Sequence, residues 1–349
     1  MEPTRPEWEN LYKLASEFKK LAPWEWMWDS DIFGVRDPET DEVGYCSVMG
    51  ALGQFFGLGV YLGSEGLLGF LKMQERGSTM SPREALELQN GLIVSFTDRG
   101  DLTNRDIKII KELGLKFKGP KEWPMFRSYK PGYYPWYINS EEARLLTVVL
   151  EQAINVVTRL KEDPELFEPL NQNLILVRTL RKLRNKTVWQ DEWLSPKIYE
   201  KSKIFHFTSE GREILKNIKN ELKPKGVWEI GAFVYDILVH NAEGRPFFPR
   251  AIVWVDHSSD FIFKVLMVEP AEYEDKVAEG TIDLINTLGF FPEKILTYGE
   301  NIYEISRLLG VMLDIEVEKT NRINALEHIK RDMRRYLSKD NEKTSQRSR

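Results

Sequence analysis

Apolar residues recur at spacings of three and four from the start of the chain. Trp8, Leu11, Tyr12, Ala15, Phe18 and Leu21 form one stripe behind Thr4 and Pro6, which predicts an opening helix that needs a partner surface. The pattern then shortens to strand-like runs, Ile32–Arg36, Val43–Met49 and Phe55–Leu62, the first two joined by a turn over Asp37–Asp41. Gly57 and Gly59 interrupt the third run, as a bulge or a close backbone approach would require. Helices are predicted after Ser64 and after Ser81. At the second, Ser81, Pro82 and Glu84 spell N-cap, first-turn proline and capping-box acid, with Gly91 at the stop. Leu92–Thr97 reads as a strand, and Thr103 with Asp106 caps a helix that turns Ile107, Ile110 and Leu113 inward. Leu115–Lys118 reads as a short strand, and Asn139 with Glu142 opens a long helix with a wide apolar face from Leu145 to Val157.

Between Glu162 and Lys225 the periodicity weakens. Leu174–Val177 has strand character, Arg178, Arg181, Lys182, Arg184 and Lys186 form a basic run read as a solvated helix face or an anion contact, and Glu210–Leu222 reads as a helix. From Val227 the pattern resumes: strands over Val227–His240, Ala251–Val255 and Phe261–Val268, a helix over Asp275–Leu288, a strand over Lys294–Thr297, a helix over Ile302–Leu309, a strand over Val311–Val317 and a closing helix over Arg322–Leu337.

The predicted fold class is α/β with mixed sheets. Two modules are each read as β-β-β-α-β-α-β-α, a possible duplication, with local matches such as Ile93-Val94-Ser95-Phe96 against Ile295-Leu296-Thr297-Tyr298. The expected organisation is an N-terminal helix over 1–23, a first module over 24–161, a connecting region over 162–226, a second module over 227–337 and a disordered tail over 338–349. This order of elements resembles the ribonuclease-H-like topology. By that analogy, acids near the first strand, the end of the fourth and the last helix, here Asp31, Asp98 and Glu142, would clamp two divalent cations, Mg or Mn, for phosphoester cleavage. Asp31 and Asp98 could share a cation only if the first and fourth strands are neighbours.

One stretch departs from every periodicity. Trp123–Tyr137 holds seven aromatic residues and three prolines, which predicts an ordered irregular loop within 119–139. Two roles fit it: a flap that buries its rings over the core, or a recognition surface in which Trp123, Phe126, Tyr133, Tyr134 and Trp136 offer rigid rings and Arg127 adds charge.

Composition narrows the functional classes. A chain of 349 residues suits two domains of roughly 150 residues each. The net charge of −5 disfavours generic nucleic-acid binding, which stays possible through a local patch. Cys46 is the single cysteine, so intramolecular disulfides and thiolate zinc sites are excluded and a reducing, cytoplasmic setting is expected. No apolar run is long enough to span a membrane. The four histidines lack metal-ligand spacing. His257, beside Asp256 and Ser258, has the composition of a catalytic triad, but a hairpin turn accounts for all three.

Trp28-Asp29-Ser30-Asp31-Ile32-Phe33-Gly34-Val35, Gly44-Tyr45-Cys46-Ser47-Val48-Met49-Gly50, Val60-Tyr61-Leu62-Gly63 and the Trp123–Trp136 stretch together resemble an uncharacterised prokaryotic domain family over residues 24–160. The second half is similar to a companion domain, also of unknown function, and the resemblance carries no activity or site with it. The expected function is therefore non-catalytic binding of a protein or small molecule through residues 123–137, without a cofactor. A metal-dependent nuclease or phosphoesterase in the first module is the alternative.

Overall fold

The computed structural model describes residues 1–167, 174–183, 186–196, 209–235, 237–242 and 244–331. The predicted tail over 338–349, and the predicted closing helix beyond 331, lie outside the described residues. The chain divides into two compact units, Met1–Lys201 and Ser202–Arg349, both mixed α/β.

In the first unit, helix α1 (Arg5–Leu21) precedes the strands β1 (Phe33–Arg36), β2 (Val43–Met49) and β3 (Phe56–Leu62). Helices α2 (Gly63–Arg76) and α3 (Pro82–Leu88), strand β4 (Gly91–Thr97), helix α4 (Asn104–Glu112), strand β5 (Trp123–Tyr129), helix α5 (Ser140–Glu162) and strands β6 (Ile175–Leu183) and β7 (Lys186–Leu194) follow. The sheet runs β5-β4-β3-β2-β1-β6-β7. From β1 to β5 it is an antiparallel meander; β6 then joins β1 in parallel and β7 pairs with β6 antiparallel.

The predicted stripe of α1 buries Leu11, Tyr12, Ala15 and Phe18 in one core with Phe33, Val60 and Val94 of the sheet and Leu146, Val149 and Leu150 of α5. The starts of the two helices are tied together. Glu7 accepts from the Thr4 backbone at 2.7 Å, from Ser140 Oγ at 2.7 Å and from Arg144 Nη1 at 2.9 Å. Those bonds, the Thr4 backbone first, lower its carboxyl to about 2. A smaller cluster sets Tyr45 and Tyr61 against Leu67 and Phe70 of α2. Gly57 answers to a close approach, since a Cβ there would stand 2.2 Å from the Val94 carbonyl oxygen.

The second unit contains α6 (Ser209–Glu221), β8 (Lys223–Pro224), β9 (Val227–Val234), β10 (Val239–His240), β11 (Pro246–Phe247), β12 (Arg250–Asp256) and β13 (Ile262–Val268). After these come α7 (Tyr273–Leu288), β14 (Phe290–Phe291), β15 (Lys294–Tyr298), α8 (Glu300–Leu313), β16 (Glu316–Lys319) and a helix over 324–331. Its main sheet runs β13-β12-β9-β15-β16, antiparallel through β13, β12 and β9, then parallel through β15 and β16. Trp228, Ile230, Ile252 and Trp254 face α7 and α8, while Val253 and Val255 face Ile323, Ala325 and Leu326.

Several expectations change. The two sheets differ in wiring, so the first unit does not repeat the second. Leu115–Lys118 is not a strand: its alternation reflects Leu115 and Phe117 turning onto the core from irregular chain, and the strand falls instead at 123–129. Pro124 is tolerated there because β5 is the outer strand, where a missing donor leaves no ladder bond broken on the open side. Inside 162–226, read as a connecting region, β6 and β7 extend the first sheet and α6 belongs to the second unit. Of the basic run, Arg178, Arg181 and Lys182 lie on β6 and Lys186 on β7, strand rather than helix, with Arg178 buried between Gln152 and Asp191, while Arg184 lies outside the described residues. Gly91 opens β4 instead of closing α3, which ends at Leu88. The first strand of the second module ends at Val234, short of His240. Helix α8 continues past Gly310 to Leu313 and ends at Asp314 in the left-handed region, so Val311 is helical and 73% exposed.

Candidate functional site

The aromatic stretch is built as an edge strand followed by a strap. Along β5, Phe126 is buried against Trp8 and Tyr12, with the Tyr12 ring edge-on at 5.0 Å. Arg127 is almost wholly withdrawn from solvent. Its guanidinium grips Asp106 in two parallel bonds, Nη1 to Oδ1 at 2.9 Å and Nη2 to Oδ2 at 2.7 Å, and also donates to the Phe126 carbonyl at 2.8 Å. Burial pushes the Asp106 carboxyl up, but the bonds from Arg127 and Thr103 outweigh it and leave the group below its ordinary value. Arg127, expected to offer charge to a ligand, is thus consumed in a buried pair that fixes α4 on β5.

The strap returns over residues 130–136. Tyr133 N donates to the Lys130 carbonyl at 3.0 Å, closing a turn in which Gly132 holds a φ of 81°. Gly132 N donates to the Leu86 carbonyl of α3 at 3.0 Å. Ser128 and Trp136 then exchange backbone bonds, 2.8 Å and 3.0 Å, so one residue of the strap pairs with the outer side of β5. Ser128 Oγ donates to Glu142 Oε1 at 2.7 Å, and Glu142 accepts from Asn139 N at 2.9 Å in the capping box of α5. The strap is held at the strand and at α3, and the strand in turn is bonded to the start of α5.

This construction sorts the rings. Tyr133 is buried, and Trp123 is half-buried beside Phe117 at 5.8 Å, with the Arg99 guanidinium 5.9 Å from its centre. Trp136 is half-buried and meets Tyr137 edge-on at 5.0 Å, while Arg105 lies 4.1 Å from the Tyr137 centre. Tyr134 is 46% exposed on the same turn. Of the six residues singled out for ligand contact, Phe126, Arg127 and Tyr133 are internal, and Tyr134, Trp136 and Trp123 present surface.

The three candidate acids stay apart. Asp31 accepts from the Trp28 backbone at 2.8 Å in the turn before β1. Asp98, after β4, accepts from Lys121 N at 2.8 Å and faces Lys121 Nζ at 3.6 Å. Glu142 caps α5. Strands β1 and β4 are not neighbours: β2 and β3 lie between them, which at about 4.8 Å per strand separates the two strands by roughly 14 Å. Among the described residues no group of three or more His, Cys, Asp or Glu is arranged to hold a metal ion. Nor is any helix of the described residues long and apolar enough to cross a membrane.

Sequence reasoning missed two polar positions. Asp106 was visible as a helix cap, but its partner lies 21 residues away in sequence. Glu229, on the central strand β9, is buried, with Oε1 2.7 Å from His257 Nδ1 and Oε2 enclosed without a hydrogen-bond partner. The available signal was a lone acid between Trp228 and Ile230 in an apolar run. Asp256 is engaged by Ser258 and Ser259, each hydroxyl at 2.6 Å, as the hairpin-turn reading of that segment expects.

A model of a domain of unknown function (DUF7309) matches residues 8–178, and a second domain of unknown function (DUF6930) matches residues 214–334. The resemblance seen over 24–160 falls inside the first match. No curated protein matches the chain. Among solved structures it is similar to a chain of the "CryoEM structure of simian T-cell lymphotropic virus intasome in complex with PP2A regulatory subunit B56 gamma", at 18% identity, 34% of this chain, 43% of that chain and a TM-score of 0.25. The present chain spans less than half the length of that one, and so loose a superposition carries no argument.

Proposed function

For a chain that carries two domains of unknown function in tandem, we propose a non-catalytic binding role in which the strap of the first unit presents Tyr134 and Trp136 to a protein or small-molecule partner. The observation behind it is that Tyr134 stands 46% exposed on a turn whose backbone is bonded to two separate elements, α3 and β5. Rings held this way lose little conformational freedom on binding, and a phenol tip adds a donor and an acceptor to an apolar face. The buried remainder of the stretch serves the same end by keeping that turn in place. The reading concerns the first unit alone and requires no cofactor.

A photo-reactive phenylalanine derivative at position 134, with a control at the 81%-exposed Leu52, tests it in native extract. Discrete adducts at 134 that are missing at 52 support the reading. Identical, diffuse labelling at both positions contradicts it. Saturable oligonucleotide binding that depends on Tyr134 would assign the site to unstacked bases, which stack on exposed rings.

A further inference from the structure

The two main sheets end in four outer strands; three are blunted by proline, strap or charge, whereas the fourth, β13, carries one register shift, where Phe263 is passed over between Ile262 and Lys264. Strand β5 has Pro124 and the strap. Strand β7 carries Lys186, Asp191 and Glu192, and β16 is charged at Glu316, Glu318 and Lys319. Strand β13 reads Ile-Phe-Lys-Val-Leu-Met-Val, with no proline and one charge. That charge is turned away: Lys264 Nζ lies 3.6 Å from Asp283 of α7 and 5.9 Å from the centre of the Trp254 ring.

The open strand is also apolar on its outer face. Ile262, Val265 and Met267 pair with Val255, Val253 and Ala251, which are fully buried. The helix over 324–331 covers the inner valines but leaves Ile262, Val265 and Met267 at 38%, 39% and 40% exposure, with Phe261 beside them at 64%. Met267 continues into a groove of about 320 Å³ lined by Tyr235, Ile237, Phe247 and Pro249 and bordered by Glu269 and Glu272. At the other end of the strand, Asp260 occupies the turn. Acids therefore flank an apolar edge at both ends.

We propose that β13 is a docking edge for an extended peptide that joins the sheet as a sixth strand, apolar at alternate positions and basic beyond both ends. Backbone bonds to the open ladder supply the attachment; alternate side chains lie over Val265 and Met267, and the next reaches Ile262 across the register shift. Charge selects this occupant over a second copy of the chain. Two antiparallel β13 strands would set Asp260 of one copy against Glu269 and Glu272 of the other, acid facing acid, whereas a peptide flanked by Lys or Arg meets opposite charge at both ends.

The test uses the full chain and a labelled peptide, Arg-Arg-Val-Thr-Ile-Thr-Val-Arg-Arg, against the same core flanked by Glu, read by fluorescence anisotropy and by amide protection over 262–268. The expected result is saturable binding of the basic peptide, new protection confined to β13, and at least about a tenfold loss for the acidic peptide or for Val265→Lys with Met267→Lys. Tyr134→Ala leaves this binding unchanged, which separates it from the site on the first unit. Absence of saturation at about 1 mM peptide, or equal binding of the two peptides, overturns the proposal. So does a concentration-dependent dimer abolished by Val265→Lys, which would put a second copy on the edge.

Discussion

Strands β5 and β13 are both seven residues long and both lie at the margin of a sheet, yet they meet their surroundings in opposite ways. β5 is closed by a proline, by a buried ion pair at Arg127 and by a strap that returns to bond Ser128. β13 has one lysine, drawn onto the packed face, and an outer row of apolar side chains. The contrast teaches that aromatic content is a poor guide to a binding surface here. Most of the rings in 123–137 seal an edge, and what reaches solvent is decided by the backbone bonds that hold the turn. An apolar edge with ordinary strand composition is the more exposed of the two.

The comparison breaks most severely at Arg127. Arg127→Ala strands the Asp106 carboxylate in a site where its side chain is 8% exposed. Losing one partner of such a pair typically costs about 3–5 kcal/mol, measured by urea denaturation of the intact chain. Asp106→Asn with Arg127→Met recovers much of that loss, since no charge is then left buried.

Acid sharpens the same point. Asp106 has a folded value below its ordinary 3.8, so its contribution to stability is fully present above 3.8 and is lost as pH falls through the lower folded value. The stability gap between the wild type and Arg127→Ala should therefore narrow on acidification below 3.8, and a gap that stays constant would show that the pair is not the cause.

Next in size is the anchor of the strap. Asn139→Ala removes the side-chain acceptor of the Glu142 N–H bond at 2.8 Å, and loss of such a cap typically costs about 1 kcal/mol. Glu142→Ala should cost a similar amount while also releasing Ser128 Oγ. Amide exchange at Ser128 and Trp136 then rises more than exchange in β2.

The smallest effects belong to the exposed positions. Tyr134→Ala and Val265→Lys each change stability by no more than about 1 kcal/mol, because each of these side chains is more than a third exposed. A loss beyond about 2 kcal/mol at either would move that residue from the recognition surface to the framework.

Legibility in the sequence followed the range of the interaction. The capping boxes at Ser81, Thr103 and Asn139 are contacts over three residues, and each was readable as a local pattern that the structure carries. The inward stripes of α1 and α5 were equally readable, since period 3.6 is a local property. The parallel pairing of β1 with β6 joins Gly34 to Val177 across the whole first unit, and no local pattern announces it. Arg127 with Asp106 and Glu229 with His257 are long-range pairs of the same kind. β5 was unreadable for another reason: Pro124 argues against a strand unless the strand is known to be at an edge, and edges are set by the completed sheet. Of the candidate site, the location of the stretch was legible, but which of its rings face solvent was not.

The most direct test of the contrast between the two edges is residue-resolved amide hydrogen exchange on the intact chain without any added peptide. One edge closed and the other open predicts protected amides at Ser128 and Trp136, with alternate amides of 262–268 exchanging near the unprotected rate. Uniform protection across 262–268, or rapid exchange at Ser128, would contradict it.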